Sequence, residues 1–470
     1  MKPVKPHIGP VAAVSAFLAA YGFFQFAYPY HLMRREQMDL FLYDWDYLRQ
    51  TYKGVGWLVR LVSDFTDQFF HLPAVGPILV ALALTAIGAV TYRICRHFLG
   101  KWPSLAIAAP VFIWSFLRET ENLFCTRYTL ATLGYLSLIL VALRFRRAWM
   151  KPVAAAILLV FGFWALGVPW NTYYGKLWGK PILSYDKVIG LDTEVSRENW
   201  DKVIRLSEKD LHMAEASYCY NLAHAMKGDL SQVLFNHSQN HSNGLLFLIS
   251  TNRSVFSNCL AGEAWFHMGN MTVAEQSAII ALQATPRHTG ARYIVRLARA
   301  NLISGDLGAA QKYLGMLSKT LTYGKWARQI LDGLRNGNTP EWVGEGRARL
   351  ARTDYVYTTG QFRPVLLGLL EANPDNDLAR EYLLCYDLLN YDLETFMKDY
   401  AERMSDSHIY QEAVLIWLGI HDQVSEENAA RYGIGKDLLD KMNKFFRTPS
   451  RYKNTYWYYY LQSISEEPSR

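Results

Sequence analysis

The sequence predicts an all-α protein: an N-terminal bundle of membrane-crossing helices, then an α-solenoid of stacked helical hairpins. Three observations predict it. Apolar runs of bilayer length alternate with short basic loops up to residue 174 and then stop. Charge divides near the same place: residues 1–151 hold 16 Lys/Arg against 8 Asp/Glu, and the remaining chain holds 33 against 34. From Glu198 onward apolar residues recur at helical spacing, with little strand-like alternation. The expected organisation is a membrane domain over 1–175, a connector over 176–197 and a soluble helical domain over 198–470.

Five spans are expected near Gly9–Tyr30, Leu72–Tyr92, Trp102–Leu117, Tyr128–Leu143 and Pro152–Tyr174. The first is read as a retained span. It is longer than the ~7–15-residue apolar core of a signal peptide, and no small-x-small cleavage site follows it. Basic residues mark the N-terminus (Lys2, Lys5), the second loop (Arg93, Arg96, Lys101) and the fourth loop (Arg144, Arg146, Arg147, Lys151) as cytoplasmic. Five spans then place the first and third loops and the C-terminal domain outside. The expected address is a bacterial inner membrane with a periplasmic C-terminal domain. Arg118, Glu119, Glu121 and Arg127 read as a tight interfacial hairpin between the third and fourth spans. The soluble half has almost no net charge, which argues against nucleic acid as a partner.

The first external loop, His31–His71, carries Asp39, Asp44 and Asp46 beside Tyr43, Trp45 and Tyr47. Its second half, GWLVRLVSDFTDQFF, places Trp57, Leu58, Leu61, Val62, Phe65 and Phe69 on one helical side, opposite Arg60, Ser63, Asp64 and Asp67. That pattern suits an amphipathic helix lying flat in the membrane interface. An acidic loop with an interfacial helix after the first span resembles the start of membrane-embedded glycosyltransferases of the GT-C fold. The resemblance covers roughly residues 9–95. It implies a polyprenyl-phosphate sugar donor and a divalent metal ion, with Asp44 as base or metal ligand and Asp46 supporting it. The chain departs from that family in span number, five against the usual seven or more. Asp44 and Asp46 also fit an acidic turn that caps the following helix.

The soluble half opens after the breakers Gly179-Lys180-Pro181. Helical hairpins turn at Gly228-Asp229, Gly269-Asn270 and Gly305-Asp306, spaced 41 and 36 residues apart. Ala264, Gly269, Ala274 and Pro286 recur in the second unit, and Ala300, Gly305 and Ala310 in the third. Small residues at these places resemble tetratricopeptide repeats in degenerate form, over residues 214–320. Such hairpins bury one face each and need neighbours to complete a core. Beyond them, Pro374–Asp377 forms a turn and cap before Leu378–Leu389. Glu381, Tyr382 and Tyr386 are groove-lining candidates, although aromatics at this spacing more often pack between helices. Tyr456–Tyr460 closes the chain, either as a capping helix or, through Trp457, as a contact with a bilayer or partner. The chain as a whole also resembles an uncharacterised family of bacterial multi-span membrane proteins with a tetratricopeptide-like C-terminal region. The residues behind this are DWDYL, NPDNDLAREYLLCYDLL, EAVLIW and NTYWYYY.

No zinc-protease, phosphate-loop, dinucleotide or serine-hydrolase motif is present in the sequence. His237 and His241 lie four apart in a Ser/Asn-rich loop, which favours no metal site. Cys219, Cys259 and Cys385 are an odd number and read as small packing residues, with a Cys219–Cys259 bond left open. The expected function is therefore a membrane-anchored scaffold with no cofactor. Its helical domain would hold an envelope protein or a glycan-assembly component. The alternative is a reduced glycosyltransferase.

Overall fold

Each of the five apolar runs folds as a helix. The computed structural model describes residues 8–121, 125–167, 180–239, 241–250, 253–351 and 362–466. Lys2, Lys5, the end of the fifth expected span, the start of the connector and the last four residues lie outside them. Among the described residues every regular element is helical.

The N-terminal helices are α1 (Ile8–Gly22, prolonged by a π-helical turn Phe23–Ala27), α2 (Tyr30–Met38), α3 (Trp45–Thr51) and α4 (Trp57–Asp67). They continue as α5 (Val75–Phe98), α6 (Lys101–Glu119), α7 (Cys125–Ala142) and α8 (Met150–Leu166). Two stretches, Gly9–Ala27 and Val75–Phe98, are long and apolar enough to cross a membrane. Thr126–Ala142 and Met150–Leu166 are apolar but shorter. At ~1.5 Å per residue, 17 residues reach roughly 26 Å, just under a ~30 Å hydrocarbon core.

Helices α1, α6 and α7 pack on α5, and α8 packs on α7. At one end Phe24, Tyr28, Leu32, Phe70 and Leu84 form a buried aromatic-rich core, joined by Phe112 and Phe116. At the other end, Lys151 Nζ lies 3.1 Å from His97 Nε2. The outward sides of these helices are apolar. Val11, Leu18, Ile113, Ile157, Val160 and Phe161 are all exposed, Val160 by 74%. In water so broad an apolar surface is costly, because burial is worth ~25 cal/mol per Å².

The start of α4 is fastened to the end of α8 by two glycines. Gly56 and Gly167 both have positive φ, and a Cβ on Gly56 would lie 3.4 Å from the Gly167 Cα. The Gly56 N–H donates to the Trp164 carbonyl at 2.9 Å.

The chain packs as two compact units, whose first division, Ile189/Gly190, falls within the expected connector. The first unit comprises Met1–Ile189, Thr285–Val295 and Lys312–Asp332; the second comprises Gly190–Ala284, Arg296–Gln311 and Gly333–Arg470. Two segments expected within the soluble domain thus belong to the N-terminal unit.

In the second unit the expected hairpin turns are present. Helices Ala214–Lys227, Glu263–Met268 and Ala291–Ser304 each end at a left-handed glycine: Gly228, Gly269 and Gly305. Left-handed glycine is the usual helix stop because it has no Cβ to clash. The helix after Gly228 is only Leu230–Val233, much shorter than a repeat needs, whereas Met271–Gln283 is full length. Ala264, Ala274, Ala300 and Ala310 are fully buried, and Ala274 and Ala300 pack in one cluster with Phe266 and Ile303. A Cβ at Gly269 would fall 1.9 Å from the Arg349 carbonyl oxygen, so backbone from outside the hairpin closes on this turn. Cys219 and Cys259 are buried free thiols with no bond between them.

Candidate functional site: a polar network at one end of the apolar helices

In the first unit a connected set of charged side chains lies where α2, α4, α6 and α7 meet. Its inner half centres on Glu119, the last residue of α6, which is 1% exposed. Arg35 from α2 donates to Glu119 Oε1 at 2.5 Å and to the Glu119 carbonyl at 2.9 Å. The same guanidinium donates to Thr126 Oγ1 at 2.6 Å, and the Thr126 hydroxyl donates in turn to Asp67 Oδ1 at 2.8 Å. Thr129 donates to the second Glu119 oxygen. Arg35 also donates to His31 Nε2 at 3.0 Å. Burial and the nearby Arg35 and Arg34 charges push the His31 pKa well down, so the imidazole is neutral.

The outer half centres on Asp64 of α4. Arg127 approaches it at 2.9 Å, Arg287 at 2.9 Å and the Tyr52 hydroxyl at 3.0 Å. Arg287 bridges on to Asp39, which also accepts from Thr289 Oγ1 at 2.8 Å. Arg287 and Thr289 come from the segment Thr285–Val295, more than 200 residues downstream. From Lys312–Asp332, Tyr323 donates to Glu36 Oε1 at 2.9 Å, and the Lys319 carbonyl accepts from the Tyr43 N–H at 2.7 Å.

Desolvation raises the Asp39 carboxyl to about 6 despite Arg287, and the Asp67 carboxyl to about 7 despite Arg35. Burial opposes the Arg287 charge, but Asp39 and Asp64 outweigh it and raise its pKa. The network therefore holds two carboxyls whose protons exchange near neutral pH, with fixed guanidinium charges around them.

The sequence-nominated acids lie at the edge of this network. Asp44 is the N-cap of α3, accepting from the Tyr47 N–H at 3.0 Å. Its other oxygen pairs with Lys319 at 2.6 Å, and these bonds hold its carboxyl below the ordinary value. Asp46 is exposed in the first turn of the same helix, where its charge favours the positive helix end. Both therefore serve α3, as the capping alternative expected, and neither reaches Asp39 or Asp64 through a hydrogen bond.

The amphipathic helix α4 turns its polar side inward. Ser63 and Asp64 are buried, while Val62 and Phe65 are each 41% exposed and Trp57, Leu61 and Phe69 are partly exposed. Glu119 and Arg127, expected in a tight interfacial hairpin, both join this network, Glu119 through Arg35 and Arg127 through Asp64. Arg118 is buried, stacked between Trp114 and Tyr128.

Of the groove candidates in the second unit, Tyr382 and Trp457 are 0% exposed and pack inside the fold. Trp457 Nε1 donates to the Glu412 carbonyl at 2.9 Å, so the aromatic run is a closing helix. Glu381 accepts from the Ser231 N–H at 2.9 Å, and Tyr386 lies edge-on to Phe362. These residues suit packing because aromatic rings at i and i+4 reach the neighbouring helix. His237 bonds Ser217 and Gln239, and His241 stands against Tyr391. Among the described residues no group of three His, Cys, Asp or Glu side chains is placed to hold a metal ion.

Helical periodicity alone groups Asp64 and Asp67 on one side of α4. Arg287 carries no local signal, since PRHTG reads as an ordinary turn after a helix.

One comparison decides the family. The chain belongs to a family of unknown function, DUF6057, which matches residues 4–175 and 170–463. Membership covers nearly the whole chain and extends the family over both the apolar helices and the downstream helical region. Neither the curated proteins nor the solved structures contain a match to it.

Proposed function

We propose that this member of the family is an integral membrane protein that holds a helical domain at the outer face of a bacterial inner membrane, as a binding scaffold for an envelope protein or glycan-assembly component. The observation that carries the reading is the Asp39–Arg287–Asp64 lock. It ties a downstream segment to the loop that follows α1, so that loop and that segment share one side of any membrane. Exposed apolar surface on α1, α6 and α8 and the outward Val62 and Phe65 of α4 support a bilayer around these helices. The basic end, with Arg93, Arg96 and Lys151, supports a cytoplasmic orientation for the opposite side. Helical hairpins closed by Gly228, Gly269 and Gly305 support a solenoid-like second unit related to tetratricopeptide repeats.

The test is site-specific photo-crosslinking in cells from Ile420 and Phe446, exposed apolar residues of the second unit. The expected result is one discrete crosslinked envelope component. Crosslinks to no species from either position, in cells where protease reaches the second unit only from outside, refute the scaffold.

A second reading, the reduced glycosyltransferase with a polyprenyl-phosphate sugar donor, is favoured by one observation: Asp39 pairs with Arg287, and Asp67 is linked to Arg35 through Thr126, where desolvation raises both carboxyls. In that reading the proton-transferring acid is Asp39 or Asp67 rather than Asp44, which is engaged by Lys319 and the α3 cap. Unchanged glycan output from Asp39→Asn and Asp67→Asn cells removes it.

A further inference from the structure

Helices α1, α5 and α6 leave a cavity of about 340 Å³ between them, near the basic end of the bundle. Small residues line much of it, among them Ala13 and Ala16 from α1, Gly88 and Ala89 from α5, and Ala109 from α6. Three polar side chains reach it, Tyr92 among them. Thr85 lines it, and its hydroxyl is buried with no hydrogen-bond partner. Arg93 also lines it; this side chain is exposed and has neither ion pair nor hydrogen bond among the described residues. Arg96 and Lys101, further basic residues of this end, are also exposed.

Charge decides between occupants. Arg93 at the mouth has no ion pair among the described residues and supplies the complement for one negative charge, and the groove beneath it is mostly apolar, which suits a hydrocarbon chain.

We propose that this groove is a site for an anionic phospholipid, with a hydrocarbon chain against the Ala/Gly walls and the phosphate on Arg93. The inference rests on the membrane reading above. The lipid fills the groove left beside α5 between α1 and α6, which both pack on it, and its phosphate neutralises a cation that no described carboxylate meets.

The test is native mass spectrometry of the full-length protein in mild detergent, titrated with phosphatidylglycerol or with phosphatidylcholine of the same chains. The wild type should retain one phosphatidylglycerol in preference to phosphatidylcholine. Arg93→Gln should weaken phosphatidylglycerol retention about fivefold, the effect of one basic side chain at an anionic surface. It should leave phosphatidylcholine retention unchanged. The paired change Ala13→Leu with Ala89→Leu should fill the groove and abolish retention, while Val160→Leu on the outer face of α8 should retain lipid as the wild type does. Wild-type retention in the filled variant overturns the site. So does equal retention of both lipids by the wild type, or a dimer that the filling changes dissociate. If the filled variant does not fold, Arg93→Gln alone decides through the lipid preference. Carbonate extraction of cell membranes separates the two failures. A chain washed free of membranes overturns the membrane reading and the groove with it, whereas a retained chain without lipid overturns the groove alone.

Discussion

Replacing Arg287 by Gln removes the cation that joins Asp39 to Asp64 and leaves two enclosed carboxylates facing each other. Breaking a fully buried ion pair by deleting one partner costs ~3–5 kcal/mol. Here the loss is smaller for three reasons. The Arg287 side chain is 28% exposed, Asp64 keeps Arg127 and Tyr52, and Asp39 keeps Thr289 and can take up a proton. About half of the full cost remains, ~2 kcal/mol. Asp39→Asn keeps the Thr289 bond and removes a charge that burial already disfavours, so its cost is ~1 kcal/mol. In the double variant the costs do not add, because both changes remove one interaction; a coupling of ~1–2 kcal/mol is expected. The assay is denaturant unfolding of the full-length protein in detergent, followed by tryptophan fluorescence, for wild type, each single variant and the double. Lys319→Gln is the control: the Lys319–Asp44 pair is solvent-facing, and its loss should leave the unfolding midpoint unchanged. Additive costs across the cycle, or an Arg287→Gln protein as stable as the control, would falsify the lock.

Four further outcomes are expected. Asp67→Asn should stabilise the protein relative to wild type more at pH 8 than at pH 5. The folded carboxyl near 7 lies above the unfolded value of about 4. The native state thus holds a proton that the unfolded chain lacks across that window, and the aspartate favours folding less as pH rises; a thermal-shift difference of the same size at both pH values contradicts this. Gly269→Ala should lower the unfolding temperature sharply, since φ is +98° and the Arg349 carbonyl occupies the Cβ position, whereas Gly433→Ala, also at positive φ but in open space, should carry only the backbone strain of ~1 kcal/mol. Trp457→Ala should cost ~3–5 kcal/mol, the range for a fully buried large aromatic, measured by the same unfolding curves; a cost below that of an exposed control such as Leu461→Ala contradicts a closing helix. Val62→Asp should leave unfolding in detergent almost unchanged yet reduce membrane retention on flotation, because the residue faces outward on α4.

Much of this protein is legible in the amino-acid sequence by itself. Helical class, the positions of the five apolar helices, the capping role open to Asp44 and the glycine turns at Gly228, Gly269 and Gly305 follow from local rules. They depend on runs, periodicity and residues with special backbone freedom, all within a few turns of chain. The amphipathic character of Trp57–Asp67 is legible for the same reason. What only the tertiary structure decided is which residues meet. Asp39 and Asp64 acquire their meaning from Arg287, and Glu119 from Arg35, across separations of 84 residues or more. No periodicity encodes such a meeting, because each partner sits in a locally ordinary turn or helix end. Burial is equally beyond local reading. Tyr382 and Trp457 carry the same side chains whether they line a groove or fill a core, and their neighbours choose between the two. Two later segments join the first unit for this reason as well: Thr285–Val295 and Lys312–Asp332 lie far downstream, yet Arg287 and Lys319 within them find their acidic partners in the loop after the first helix.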